Sequence, residues 1–401
     1  MSSKYSKALL LGALVAVPSA VAMTAMHFWP DADLMENGFY FGRDFLNYWT
    51  GGRLAILGQA DVAYDLARYN ALLRAWFSPE QSGMAFSYPP HALPLFAPFG
   101  ALPYLVAYAV WCVLGAAGFA AVALGGRPVS DNKILLAAFA LAPILWVNVI
   151  FGQMGLLLAA LFVGALRALP RRPVLAGVLM GLLTIKPQLG LLLPIVLLTT
   201  GAWRAIAAAV ATALGLAALS VAAFGLEAWR LYVAETMPLQ WGFVTRMDGF
   251  YVNQMVTPYT AFWSFGIPLH AALLLQAAIS VVIAATTFQT LRSDASWPLK
   301  SAVVAFGSML MVPYALAYDL AIPLAALVWY LLAERPRETP LGLALAGALW
   351  ALPFAMSITL QSNGIPLLPV VLLAAYAWLV VEALVRQPAQ HLRSAFAATR
   401  A

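Results

Sequence analysis

The side chains here that could do chemistry are few, and most of them interrupt apolar runs. Asp44 stands in Gly42-Arg43-Asp44-Phe45-Leu46-Asn47-Tyr48-Trp49, and Gln153 in Phe151-Gly152-Gln153. Lys186 and Gln188 flank Pro187, while Tyr314, Tyr318 and Asp319 crowd a later junction between apolar segments. Gln361 and Asn363 mark another. A carboxylate within reach of a hydroxyl can take its proton as general base. A fixed ammonium stabilises an oxygen gaining negative charge, best where water is scarce. An aspartate and a lysine together therefore suit the attack of a weak hydroxyl nucleophile on a centre with an anionic leaving group.

Each residue also has a plainer reading. Asp44 and Asp65 both precede a helical pattern and are placed to cap it. Lys186 can snorkel to the interface, but it is the one basic residue in a short turn, and ionisable residues at membrane depth tend to be functional. Asp319 begins a helical run, where capping and site roles weigh equally. His91 follows Pro89-Pro90, a place for an interfacial structural role with substrate contact as the alternative. Cys112 lies alone in an apolar run, so no disulfide within the chain and no multi-cysteine metal site can form. No Walker loop, G-x-G-x-x-G, H-E-x-x-H or G-x-S-x-G is present.

The elements that position these residues follow from composition. Hydrophobic residues make up 63% of the 401 and charged residues 9%, against about a quarter charged in soluble domains. Backbone polar groups in lipid must pair internally, so apolar runs of this kind form helices. The chain reads as an all-α integral membrane protein of about 12 transmembrane helices, a single domain over residues 1–401. The runs lie at roughly 8–28, 104–124, 133–150, 153–169, 173–185, 187–200, 203–224, 269–291, 300–315, 318–333, 340–358 and 366–385. The first is long enough to span and is expected to remain uncleaved. The proline-rich stretch 88–102 adds a re-entrant or half-buried helix.

With the N-terminus in the cytoplasm, alternation puts fifteen of the 22 basic residues inside and seven outside, as the positive-inside rule asks. Both termini are then cytoplasmic, and residues 29–86 and 225–267 form two long outer loops. Basic residues this scattered are topology signals, not a nucleic-acid surface. In the first loop, residues 44–57 and 65–77 have amphipathic patterns suited to the membrane interface. The second is rich in Trp and Tyr. Gly177 and Gly181 form a small-xxx-small pair for close helix packing. The odd polar residues all fall on the outer side. A transporter or lipid-linked-glycan flippase would carry them at mid-membrane on several helices, and no internal repeat is evident.

In order, the Gly42–Trp49 motif with Gly52-Arg53 and Ala63-Tyr64-Asp65, Phe86-Ser87-Tyr88-Pro89-Pro90, Phe151-Gly152-Gln153, Gly181-Leu182-Leu183-Thr184-Ile185-Lys186-Pro187-Gln188, Trp203-Arg204 and Tyr318-Asp319 resemble bacterial glycosyltransferase family 87 over most of residues 40–335. That resemblance implies a GT-C-type polytopic bundle in the bacterial inner membrane with a periplasmic active site. It implies a polyprenyl-phosphate sugar donor, most typically of mannose, and a lipid or glycan acceptor. Asp44 would be the catalytic base. Lys186, with Gln188, Gln153, Arg43, Tyr318, Asp319 and His91, would hold donor phosphate or substrate. Cationic side chains over the phosphate leave no need for a metal, and no cofactor is implied.

Single cysteines at positions 83, 171 and 335, with Cys112 replaced, test the topology. An impermeant thiol reagent is expected to reach position 83 in intact cells, and 171 and 335 only after permeabilisation. Labelling of 83 and 171 from one side would overturn the alternation and the clustering that depends on it.

Overall fold

The computed structural model describes residues 3–28, 40, 42–125, 133–246, 254–363 and 366–386. A bridge joins Met255 to Leu316, and the regular helices and turns of the described residues make up the rest of the fold. The chain begins with α1 (Ser3–Phe28). Three short helices follow in the first long loop and just after it: α2 (Phe45–Ile56), α3 (Leu66–Trp76) and α4 (Leu93–Gly100). After α5 (Tyr104–Leu124), one apolar run is split at a proline into α6 (Lys133–Ala140) and α7 (Pro143–Ile150). Then come α8 (Gly155–Ala168), α9 (Pro173–Leu182), α10 (Leu193–Thr199) and α11 (Trp203–Phe224). The second long loop holds α12 (Glu227–Leu231), α13 (Met237–Arg246) and α14 (Pro258–Ser264). The last five are α15 (Leu269–Arg292), α16 (Trp297–Leu310), α17 (Ala321–Glu334), α18 (Pro340–Asn363) and α19 (Leu367–Val381).

Every apolar run expected to be helical is helical. By length and composition, six runs among the described residues can cross a membrane: Tyr104–Leu124, Lys133–Ile150, Trp203–Phe224, Leu269–Arg292, Ala317–Glu334 and Leu367–Val385. Helix starts follow local chemistry. Proline opens α7, α9 and α14, where its missing N–H forfeits no helical hydrogen bond. Gly125 closes α5 in a left-handed conformation at φ 66°.

At the centre stands α17, packed against α5, α8 and α16 and buried on nearly every side, as a helix apolar all round must be. By contrast α11 and α15 leave most of their apolar surface exposed. Gly177 and Gly181 lie where α9 crosses α11. A Cβ at Gly177 would overlap the Ala205 carbonyl oxygen, so the close packing read from their spacing is present.

The first loop departs from expectation. Instead of lying in an interface, α2 is buried on most of its surface, with only Ile56 strongly exposed in its last turn. The reason is steric. A Cβ at Gly52 would collide with the backbone at Phe96, and one at Gly100 with the backbone at Arg53, so α2 and α4 cross at a separation only glycine allows. In α3 the expected apolar face is split, with Tyr69 and Leu73 buried but Leu66 and Trp76 exposed.

The turn between α7 and α8 fastens this loop to the bundle. The Asp44 N–H donates to the Phe151 carbonyl at 3.1 Å. Gly152, at φ 61°, presses so close that a Cβ would overlap the Gly42 carbonyl oxygen. Gly152→Ala is therefore expected to destabilise the protein by about 1–3 kcal/mol from backbone strain alone. Thermal unfolding in detergent checks this, and an unchanged midpoint would refute the contact.

Candidate active site

Five segments far apart in sequence build one cavity of about 490 Å³. The first loop supplies Asp44, Asn47 and Tyr48, followed by Ser87 and Tyr88; the α7–α8 turn supplies Gln153. The break between α9 and α10 supplies Lys186, Pro187, Gln188 and Leu191. Tyr232, Met237, Gln240, Trp241 and Phe243 close one side from the second loop, and Tyr314 and Tyr318 come from the stretch before α17. The Gln240 side-chain amide donates to the Ser87 carbonyl, joining the two loops across the cavity.

Asp44 occupies the N-cap position of α2, yet its side chain makes no capping bond. Asp65 does cap, accepting the Arg68 N–H at 3.0 Å. The half-buried Asp44 carboxylate instead accepts from Gln153 Nε2 at 2.5 Å through Oδ2. Burial is the largest influence on it and raises its pKa above the ordinary aspartate value. Arg43 beside it, the Gln153 hydrogen bond and Lys186 pull in the opposite direction without prevailing. A carboxylate of raised basicity facing a cavity fits a general base.

Lys186 lies between two 3₁₀ turns, Leu183–Ile185 and Pro187–Gly190. Its side chain is 8% exposed and its ammonium meets both oxygens of Asp319 at 2.7 Å. It also stands 4.9 Å from the centroid of the Tyr318 ring. The lysine that reads as solitary in sequence is thus half of a buried ion pair. Asp319 is fully buried, its carboxylate is taken up by Lys186, and it does not reach the cavity wall. Its place is to hold the lysine.

Two further candidates are set back from the cavity. Arg43, in a left-handed conformation at φ 36°, lays its guanidinium over the Phe151 ring at 5.2 Å. His91 is buried, stacks on Trp229 at 5.8 Å and 19°, and pairs through Nε2 with Thr184 Oγ1 at 3.1 Å. The Thr184 hydroxyl donates to the Gly181 carbonyl at 2.6 Å, which leaves the histidine Nε2–H as donor. Burial lowers the His91 pKa, so the neutral ring is favoured. These contacts make His91 a packing link between the second loop and the Lys186 hairpin. The side chains of Gln361 and Asn363 lie outside the described residues. No three His, Cys, Asp or Glu side chains among the described residues gather in a way that could hold a metal ion.

Sequence reasoning passed over Tyr48, Tyr88 and Gln240 as site residues. Tyr48 had a signal, since it falls one helical turn after Asp44. Gln240 had none.

Fold and site together define a helical membrane protein with a cavity lined by both a basic carboxylate and a paired ammonium. The chain belongs to glycosyltransferase family 87, whose family model matches residues 86–313, and it is a membrane glycosyltransferase. The matched residues include Gln153, Lys186 and Gln188; Asp44 and Asp319 lie on either side of them. No curated protein and no solved structure matches the chain.

Removing one partner of a buried ion pair strands a charge, at about 3–5 kcal/mol. Asp319→Leu is expected to destabilise on that scale, and adding Lys186→Met to restore most of the loss. A double-mutant cycle by thermal unfolding reads the coupling, and simple additivity would mean the pair contributes nothing.

Proposed function

We propose that the protein transfers a hexose, mannose in the first instance, from a polyprenyl-phosphate donor to a hydroxyl of a lipid or glycan acceptor, with inversion at the anomeric carbon. The reading is carried by the meeting of the Asp44 carboxylate and the Asp319-bound Lys186 ammonium at one cavity. Asp44 takes the acceptor hydroxyl proton as the oxygen bonds to the anomeric carbon. The bond from that carbon to the phosphate oxygen breaks with its electron pair, and the lipid phosphate leaves with the added charge. Lys186, presented by its pair with Asp319, stabilises that charge. Attack opposite the leaving group inverts the centre.

Two features favour a lipid monophosphate donor. Among the described residues of the cavity wall, Lys186 is the only cation and Asp44 the only other charged side chain. Because Asp319 offsets the charge of Lys186, the wall carries no net positive charge, and a phosphodiester with one negative charge is disfavoured there less than a diphosphate. Leu191, Met237 and Trp241 line the cavity while each remains about half exposed, so its rim is apolar where an isoprenoid chain would leave it. In this reading the fold is a GT-C bundle of about twelve crossings in a bacterial inner membrane. The termini are cytoplasmic, and the cavity and both long loops face the periplasm.

Purified enzyme is expected to transfer from polyprenyl-phosphate mannose to membrane-lipid acceptor, and Asp44→Asn to lose about 10²–10⁴-fold in rate. The base works only when ionised, so kcat/KM should rise with pH through the Asp44 pKa. Because burial raises that pKa, the rise should lie above the usual aspartate range. Normal turnover by folded Asp44→Asn protein would move the base elsewhere. Transfer from a nucleotide sugar with no lipid-linked intermediate would sink the donor assignment.

A further inference from the structure

We infer that Tyr88, Tyr48 and Gln153 form a one-way hydrogen-bond chain that positions Asp44, holding its Oδ2 so that Oδ1 is the oxygen that takes the acceptor's proton. This rests on the reading of Asp44 as base and assigns Gln153 as a positioning residue, not a ligand for the donor phosphate.

The direction of the chain follows from counting protons. Gln153 Nε2 meets Asp44 Oδ2 at 2.5 Å, and Gln153 Oε1 meets the Tyr48 hydroxyl at 3.0 Å. Turning the amide over would set its oxygen against a carboxylate oxygen, so only this orientation suits ionised Asp44. Tyr48 must then donate to Oε1. Burial raises its pKa well above the ordinary tyrosine value, which keeps that proton in place. With its one proton used, Tyr48 can only accept from Tyr88, whose hydroxyl is 2.9 Å away. Every proton points towards Asp44, and each bond polarises the next.

The chain is rigidly housed. Tyr48 stacks on Trp111 at 4.8 Å and 25°, and its ring also packs against Phe45 and Phe96. The backbone of Gln153 is held without help from its side chain: its N–H donates to the Asn148 carbonyl at 2.8 Å, and its carbonyl accepts from Trp111 Nε1 at 3.2 Å. Such anchoring serves to aim a side chain. The titratable groups around Asp44 are Arg43 from its own turn, Lys186 from the α9–α10 break with Asp319 behind it, Tyr48 from α2, Tyr104 from α5, and Tyr318. Gln153 is the side chain that hydrogen-bonds Asp44.

The test compares pH profiles of kcat and KM for wild type, Gln153→Leu, Tyr48→Phe and Asp44→Asn, using polyprenyl-phosphate mannose as donor. Misplacing a reacting group by about 1 Å costs on the order of 10²-fold, so Gln153→Leu should lose about that factor in kcat with little change in donor KM. Its acidic limb should move to higher pH, because the lost bond favoured the ionised carboxylate. Tyr48→Phe keeps the ring packing and should shift the limb the same way by less. An unmoved limb, or a rise in donor KM alone, overturns the inference and returns Gln153 to substrate binding. If Gln153→Leu does not fold, the Tyr48→Phe profile decides by the same criteria. An active Asp44→Asn enzyme overturns the base assignment itself, so the two failures are told apart.

Discussion

The contact between Lys186 and Asp319 bears on every part of this site. It places two full charges where water scarcely reaches, which is unfavourable unless both partners are present and well aligned. Both carboxylate oxygens lie 2.7 Å from one ammonium, so the alignment condition is met. The aspartate sits in the 3₁₀ turn leading into α17, where a helix N-terminus favours negative charge. The lysine comes from a break between two short helices. Their union ties the central helix of the bundle to the one hairpin that brings a cation to the cavity, and Tyr318 supplies a ring beside that cation.

The part of the cavity that holds Asp44 is made differently. Asp44 is carried on a loop that is bound to the bundle by close backbone approach rather than by charge. The glycine contacts between α2 and α4, and between the α7–α8 turn and Gly42, remove the side chains that would hold these segments apart. Beside Asp44, Phe45 packs on Trp111 and Trp111 stacks on Tyr48, whose hydroxyl bonds the Gln153 that holds the carboxylate. A dry setting raises the basicity of a carboxylate and strengthens any hydrogen bond it makes. Membership of glycosyltransferase family 87 fits that design, since glycosyl transfer to a hydroxyl needs its proton removed and the leaving group's charge met.

Much of this architecture is legible from residue types alone. Apolar runs become helices because lipid offers no other partner for backbone groups, and each run read as helical is helical. The breaks at Gly152-Gln153 and Lys186-Pro187 stand out because polar residues are rare, and both border the cavity. What escaped were roles that depend on a partner remote in sequence. Asp44 and Asp65 have the same local signature ahead of a helix, yet only Asp65, with an extended backbone, caps; Asp44 is already helical in backbone and its carboxylate goes to Gln153. His91 has the chemistry of a ligand, but Trp229 and Thr184 enclose it. The pattern of α2 suggested an interfacial face, and the glycines that let α4 bury it are not visible as a contact until both helices are placed.

The sequence by itself determined the helices, their breaks and which residues are chemically able, because those follow from hydropathy and local backbone preference over a few residues at a time. Only the tertiary structure decided that Lys186 is neutralised by a carboxylate 133 positions away, and that Gln153 reaches across 109 positions to Asp44. Charge compensation and hydrogen-bond direction act over a few ångströms of space, and no local pattern records which remote residue will fill them.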